Sequence, residues 1–170
     1  MSCLFEGILS PTSLTEAEKF LGEISTNIVL KLGEINDSTY VFCRWEPLRN
    51  KFIFLEEMEY VASQVSISTS STSLLIRYDG RVSYRSLILF ENGVLSQVFD
   101  EFDEIWVRLD ENGEPNIGGG RFSNKDVESD NENEYEILTN AIELGLNILG
   151  CTTWNEVLRF MSSAWWKDTK

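Results

Sequence analysis

The sequence contains no histidine. Histidine is the side chain most often used as a general base, and it completes the Ser-His and Cys-His nucleophile pairs and many zinc sites. Its absence excludes histidine-dependent hydrolases and every histidine-containing metal site. We therefore expect no turnover of generic ester, phosphate or peptide substrates, and the sequence predicts no catalytic residue, no metal ligand and no cofactor.

Cysteine is scarce and long apolar runs are missing. Cys3, Cys43 and Cys151 are too few and too scattered for a disulfide framework, and none belongs to a Cys-x-x-Cys pair. No apolar stretch reaches the roughly 18 residues of a membrane-spanning helix, and the first residues, MSCLFEGILSPTS, carry no cationic leader. These absences predict a cytoplasmic protein with free thiols and no membrane association.

Positive charge is also deficient. The chain has 28 acidic and 14 basic residues, a net charge of −14. Residues 91–136 hold fourteen of the acids against only Arg108, Arg121 and Lys125, which concentrates a net charge of −11 in this region. Such a region repels nucleic acid and anionic lipid and attracts cationic partners. The competing interpretation is that the acidic surplus serves solubility alone.

The residues that are present suffice for one folded domain. The chain has 170 residues, of which 42% are hydrophobic, including ten Phe, five Trp and five Tyr that supply a sizeable core. We find no internal repeat and no second domain, so residues 1–170 are interpreted as a single α+β domain. We predict a predominantly antiparallel sheet of about six or seven strands, with an N-terminal helix and two C-terminal helices packed on one face.

Capping signals and periodicity indicate the helices. SLTE, Ser13 to Glu16, and TWNE, Thr153 to Glu156, match capping boxes. A broad apolar stripe from Ile137 to Leu149 predicts a further helix, which Gly150 is placed to end. LEEMEYVASQ is ambiguous, and we interpret it as a short helix followed by a linker, SQVSISTSSTS.

Runs of β-branched and aromatic residues predict the strands. TNIVLKL, STYVFCRW and KFIFLE are expected to form an antiparallel meander. Asp79-Gly80 between SLLIRY and RVSYRSLILF is a strong hairpin signal, and Asn92-Gly93 before VLSQVF repeats it. EIWVRL continues the sheet. Residues 111–134, which are rich in glycine and acids, predict a mobile acidic loop.

Three motifs carry weak chemical signals. NIGGGRF lacks the lysine of a phosphate-binding loop, and DVESDNE lacks the glycine that an EF-hand requires at its sixth position, so we interpret both as loops. Arg77, Arg81 and Arg85 surround the Asp79-Gly80 turn as the clearest basic patch. We expect these arginines to pair with nearby acids on the surface of the sheet.

The candidate functional stretch is SQVFDEFDEIWVRLDENGEP, Ser96 to Pro115. Its first acids come as two adjacent pairs, Asp100-Glu101 and Asp103-Glu104. Adjacent residues of an extended segment lie on opposite faces, so these acids cannot belong to a strand that is buried on both faces. They are expected at a strand start or an exposed edge. Trp106 follows these acids and could anchor an interface as an aromatic side chain. The predicted partner-binding residues are therefore Asp100, Glu101, Asp103, Glu104, Trp106, Asp110, Glu111 and Glu114.

The charge pattern favours a non-enzymatic acidic protein that binds and neutralises a basic protein partner. An immunity or antitoxin protein that opposes a nuclease-like toxin acts in this way, because the active site of a nuclease is basic to suit its polyanionic substrate. One alternative is a chaperone-like or scaffolding module that binds a segment at a sheet edge. A further alternative is a carboxylate-dependent hydrolase, which needs only two acids across a cleft.

Overall fold

The structure is a computed structural model, and it describes residues 4–44, 54–79, 84–100, 105–109, 115–116 and 146–162. The helices in these ranges are α1 (Leu14–Glu23), α2 (Glu57–Ser68) and α3 (Trp154–Ser162), and residues 146–149 are also helical. The strands are β1 (Leu4–Pro11), β2 (Leu30–Asn36), β3 (Thr39–Arg44), β4 (Thr72–Asp79), β5 (Tyr84–Glu91), β6 (Val94–Asp100), β7 (Ile105–Leu109) and β8 (Pro115–Asn116).

The strands form one sheet in the order β2-β3-β1-β4-β5-β6-β7-β8, and every neighbouring pair is antiparallel. The predicted α+β class with an antiparallel sheet is confirmed. The described strands number eight rather than six or seven, and the last is only two residues long. The described part of KFIFLE, residues 54–56, contributes no strand and leads into α2 instead.

The sequence-based prediction missed β1, which lies in the middle of the sheet between β3 and β4. Glu6 and Gly7 interrupt its apolar run and resemble a loop. In the structure Glu6 is paired with Arg44 and Arg77, and Gly7 leaves room for the ring of Phe5. A Cβ added at Gly7 would come within 2.6 Å of the Phe5 ring.

Helices cover both faces of the sheet. The α2 face is the side on which α1 and α2 pack, and its strand residues include Ile8, Phe42, Leu75 and Ile88. The α3 face is the opposite side, where α3 and residues 146–149 pack on Leu9, Val41, Leu74 and Leu89. The C-terminal helical segments thus lie on one face, as predicted. Because successive residues are buried on opposite sides, β3, β4 and β5 have the continuous apolar runs of doubly covered strands.

Three of the predicted turn and cap signals are confirmed. Asn92 and Gly93 have φ angles of 51° and 81°, as expected of a type I′ hairpin turn between β5 and β6. The hydroxyl of Ser13 caps α1 by accepting from the N–H of Glu16. Gly150 has a φ of 71° and its N–H donates to the carbonyl of Leu146, which ends that helix.

Helix α2 is longer than the sequence suggested, because it continues to Ser68 through half of the segment predicted to be a linker. Met58, Val61, Ala62 and Val65 follow helical spacing and are fully buried against the sheet. This burial stabilises the helix through a serine-rich stretch whose intrinsic helix propensity is low.

Some predictions fall on residues that the structure does not describe. The proposed mobile loop, residues 111–134, lies outside the described residues except for Pro115–Asn116, which form β8. Of the predicted helix before Gly150, residues 137–145 lie outside them as well. Among the helices that the structure describes, none is both long enough and apolar enough to span a membrane.

Candidate functional site

Of the predicted partner-binding residues, only Asp100 and Trp106 lie in described strands, on either side of the β6–β7 turn. Asp100 is the last residue of β6 and pairs with Ile105, and Trp106 in β7 pairs with Phe99. The side chains of Asp100 and Trp106 are not described. The remaining predicted residues lie outside the described residues: Glu101, Asp103, Glu104, Asp110, Glu111 and Glu114.

A row of polar residues crosses the sheet at the level of Asp100. Glu6 in β1 pairs with Arg77 in β4, Arg77 pairs with Ser86 in β5, and Ser86 pairs with Asp100. Neighbouring strands are about 4.8 Å apart, so the backbone of Asp100 lies about 10 Å from that of Arg77. The β6–β7 hairpin therefore leaves the sheet at the same end as the charged residues of β1 and β4.

Glu6 is the centre of a buried ionic cluster on the α2 face. Its Oε1 lies 2.7 Å from Nη1 of Arg44, and its Oε2 lies 2.7 Å from Nε of Arg77. The side chains of Glu6 and Arg44 are 0% and 1% exposed. We call Glu6, Arg44, Arg77 and Glu59 the Glu6 cluster.

Arg77 connects the Glu6 cluster to the start of α2. Its Nη1 lies 3.1 Å from Oε1 of Glu59, and its Nη2 donates to the carbonyl oxygen of Leu55 at 2.8 Å. The N–H of Leu55 in turn donates to Glu6 at 3.4 Å. The first turn of α2 is thus fixed to β1 and β4 by charge-assisted hydrogen bonds.

The electrostatics of the Glu6 cluster indicate a structural role. Burial raises the pKa of Glu6, and the hydrogen bond from Arg77 and the positive charges of Arg44 and Arg77 oppose that effect. Two carboxylates and two guanidinium groups give the cluster a balanced charge. Because the Glu6 carboxylate has no exposed surface, it is placed to hold the fold together rather than to contact a substrate.

The arginine patch predicted from the sequence is corrected in one respect. Arg77 does pair with acids, as expected, but it is only 9% exposed and pairs with Glu6 inside the protein rather than on the surface. Arg81 lies outside the described residues, and only the backbone of Arg85, in β5, is described.

Acidic side chains lie at the start of α2, where sequence reasoning did not place a site. Glu56 and Glu57 are exposed, and the side chain of Glu59 is 38% exposed. Acids in this position also stabilise a helix through its dipole. A signal was nevertheless available, since the sequence has no Lys, Arg or His from residue 52 to 76 or from residue 86 to 107.

The acids of α2 and β6 belong to one end of the sheet. Glu59 contacts Arg77, and Arg77 is connected through Ser86 to Asp100 by strand pairing. We call the set Glu56, Glu57, Glu59 and Asp100 the acidic end. Among the side chains described in this region, the cations Arg44 and Arg77 are buried in the Glu6 cluster, whereas the acids Glu56 and Glu57 are exposed.

The two described cysteines are poor nucleophiles. Burial raises the pKa of the Cys43 thiol, which is fully buried in the core. Burial also raises the pKa of the half-buried Cys151 thiol, so both remain protonated near neutral pH. Within the described ranges, no group of three or more Cys, Asp or Glu residues is arranged to hold a metal ion.

Comparisons of the chain with protein-family models, with curated proteins and with solved structures found no match. The function must therefore be argued from the chemistry of the chain itself. The distinguishing feature of the described surface is the acidic end. Its carboxylates Glu56 and Glu57 are exposed, whereas the cations Arg44 and Arg77 are paired in the interior.

Proposed function

We propose that the protein binds a basic protein partner through the acidic end and the β6–β7 hairpin, and neutralises that partner as an immunity or antitoxin protein does. The observation that carries this proposal is the separation of charge at the acidic end. Arg44 and Arg77 pair with the buried Glu6, whereas Glu56 and Glu57 are exposed. The adjacent hairpin segment, FDEFDE, contains Asp100 and adds three further acids in sequence.

The physical basis of neutralisation is competition for a positive field. A protein that acts on nucleic acid has a cationic active site, because its substrate is polyanionic. An acidic surface is attracted by the same positive potential, so it associates faster with such a protein at low salt. Once bound, it excludes the nucleic acid from the active site. Carboxylates in solvent-exposed positions suit this purpose, since a partner can reach them.

The experiment compares two variants that lose the same amount of charge in different places. The test variant combines Asp100→Asn, Glu101→Gln, Asp103→Asn and Glu104→Gln. The control variant combines Glu18→Gln, Glu23→Gln, Glu34→Gln and Asp37→Asn, all at exposed positions of α1 and the β2–β3 hairpin. Residues of β2 and β6 are five strands apart, roughly 24 Å across the sheet.

Each variant and the wild type are immobilised and exposed at low salt to extracts of the cells that produce the protein. We expect basic proteins to be retained by the wild type and the control variant and lost from the test variant. With a purified partner, the test variant should associate at least about tenfold more slowly and with a weaker dependence on salt. Neutralisation is then measured as inhibition of the activity of the partner on nucleic acid.

Two results would contradict the proposal. The first is retention of no basic protein by the wild type at low salt. The second is an equal loss of association rate in the test and control variants, which would mean that net charge alone attracts the partner. Binding that is insensitive to salt would favour the chaperone-like alternative instead.

A further inference from the structure

The outward side of α2 forms an exposed ridge that begins at the acidic end. Tyr60, Gln64 and Ile67 recur at helical spacing on the side opposite the buried residues of this helix, and Tyr60 and Ile67 are each 53% exposed. Exposed apolar residues are common when they occur singly. Here two lie on one line of a helix, with Glu56 and Glu57 in the turn before them.

The β5–β6 turn extends this ridge. The N–H of Gly93 donates to the hydroxyl of Ser66 at 2.8 Å, and the hydroxyl of Ser63 donates to the carbonyl oxygen of Gly93 at 2.7 Å. A Cβ added at Gly93 would lie 2.5 Å from Cδ1 of Ile67, so the turn packs directly against that side chain. Val94 follows the turn and is 67% exposed. We call Tyr60, Gln64, Ile67 and Val94 the α2 ridge.

The charge around the α2 ridge indicates what kind of surface it complements. Both segments that form it, residues 52–76 and 86–107, contain acids and no Lys, Arg or His. Glu91, which precedes the turn, accepts a hydrogen bond from Ser96 and is half-buried. An apolar line that starts at exposed carboxylates and has no cation in its own segments complements a basic surface with an apolar side chain at its centre.

We propose that the basic partner docks along the α2 ridge, with cationic side chains at the acidic end and an apolar side chain over Ile67 and Val94. This inference rests on the proposed function. It adds the surface whose contacts set the rate at which the complex dissociates. Charges mainly set the rate of association, whereas desolvated apolar contacts mainly set the rate of dissociation. The turn at Gly93 is fixed by its hydrogen bonds to α2, so little ordering accompanies binding.

Two probes and two matched variants test the inference. The probes are a soluble lysine peptide that carries leucines and a lysine peptide of equal length and charge with serines in their place. The variants are Val94→Lys on the α2 ridge and Val29→Lys, which replaces a valine of similar exposure, 60%, next to the edge strand β2 and five strands away from β6. Both variants change the net charge equally, and Tyr60→Ala provides a second change on the ridge.

Binding is measured by titration calorimetry at low salt, and circular dichroism verifies that each variant is folded. We expect the wild type and Val29→Lys to bind the leucine-bearing peptide about tenfold more tightly than the serine peptide. Val94→Lys and Tyr60→Ala should lose most of this preference while still binding the serine peptide through the acidic end.

The possible failures are distinguishable. If both peptides bind wild type equally, or if Val94→Lys and Val29→Lys bind the leucine-bearing peptide alike, the α2 ridge is not the docking surface, and the proposed function stands without it. If neither peptide binds wild type at low salt, attraction to basic partners fails, and the inference about the α2 ridge fails with it.

Discussion

Both faces of the sheet hold their helices through an apolar core, and among the described residues the α2 face adds a cluster of buried charge. On the α2 face, Arg77 donates to the carbonyl of Leu55 and pairs with Glu6 and Glu59, so directional charged contacts fix the start of α2. On the α3 face the contact is an apolar core. Its helical members are Leu146, Leu149, Val157 and Met161.

The polar contacts of the α3 face lie at its border. Asn36 and Thr39 of the β2–β3 hairpin each donate to the carbonyl oxygen of Cys151 at 2.9 Å. Asn36 also donates to Glu156, the acid of the predicted capping box. Both helical layers therefore pack on apolar cores, but buried charge fixes the start of α2, whereas polar contacts at a rim fix the region of α3.

The largest expected effect comes from breaking the buried charge. Glu6→Gln removes the carboxylate between Arg44 and Arg77 and leaves two guanidinium groups without it. Loss of one partner from a buried pair costs about 3–5 kcal/mol of the free energy of unfolding. Urea denaturation of the wild type and the variant measures this difference.

Glu59→Gln is the matched control, since it is the same substitution at the exposed end of the Glu6 cluster. Exposed pairs contribute little, so we expect a loss below about 1 kcal/mol. If the two substitutions were equally destabilising, the burial of Glu6 would not make its ion pairs stronger than the exposed pair of Glu59. If both were harmless, α2 would be held by apolar packing, as α3 is.

A smaller effect is expected from crowding the α3 face. A Cβ at Gly33 would lie 2.5 Å from the ring of Phe160 and 3.0 Å from Val41, so Gly33→Ala should destabilise the protein by about 1–3 kcal/mol. Thermal unfolding measures the change. The double variant with Phe160→Leu should recover part of the loss, because the smaller side chain yields space.

Gly22→Ala is the control for this prediction. Gly22 lies in α1 and has no neighbouring atom within 4 Å of the added Cβ. Alanine has the higher helix propensity, so this variant should be more stable than the wild type by about 0.5–1 kcal/mol. A stabilising Gly33→Ala would show that the α3 face tolerates extra volume and would contradict its description as closely packed.

The smallest expected effect is confined to acidic pH and concerns the border of the α3 face. The N–H of Thr153 and the side chains of Thr152, Asn36 and Thr153 donate hydrogen bonds to Glu156, and they lower its pKa below the ordinary value of 4.5. A carboxyl with a lowered pKa in the folded state stabilises the protein above its ordinary pKa. This contribution is lost as the pH falls through the pKa of the folded state.

Glu156→Gln should therefore be less stable than the wild type at neutral pH, and the difference should shrink below about pH 4.5. Melting temperatures measured across this pH range test the sign. Asn36→Ala removes one of the donors to Glu156, so the pH-dependent part of its effect should follow the same trend to a smaller extent, whereas the loss of its hydrogen bond to Cys151 should not vary with pH. A difference that is constant with pH would mean that the charge of Glu156 does not matter.

The features predicted correctly from sequence are those that depend on near neighbours. In the capping box of α3, the N–H of Thr153 donates to Glu156 and the N–H of Glu156 donates to the hydroxyl of Thr153. The turn at Asn92-Gly93 likewise needs only two residues that tolerate positive φ. These signals act within four residues and can be read locally.

The features that were missed depend on distant partners. No strand was predicted around Glu6, whose arginine partners lie 38 and 71 residues further along the chain. The same separation hid the acidic end, because only strand order brings Glu59 and Asp100 to one end of the sheet. Sequence alone predicted the acids of the β6–β7 hairpin as a site but could not associate them with α2.

The central position of β1 has a consequence for biosynthesis. A strand made early cannot complete its pairing until β3 and β4 have been made, and Glu6 meets Arg77 only after 71 further residues. At typical rates of translation that delay is roughly 4–14 s. During this time the ribosome holds a chain in which β1 lacks the neighbour β4 and Glu6 is still in water, so premature release before Arg77 would deliver an open sheet edge to the cell.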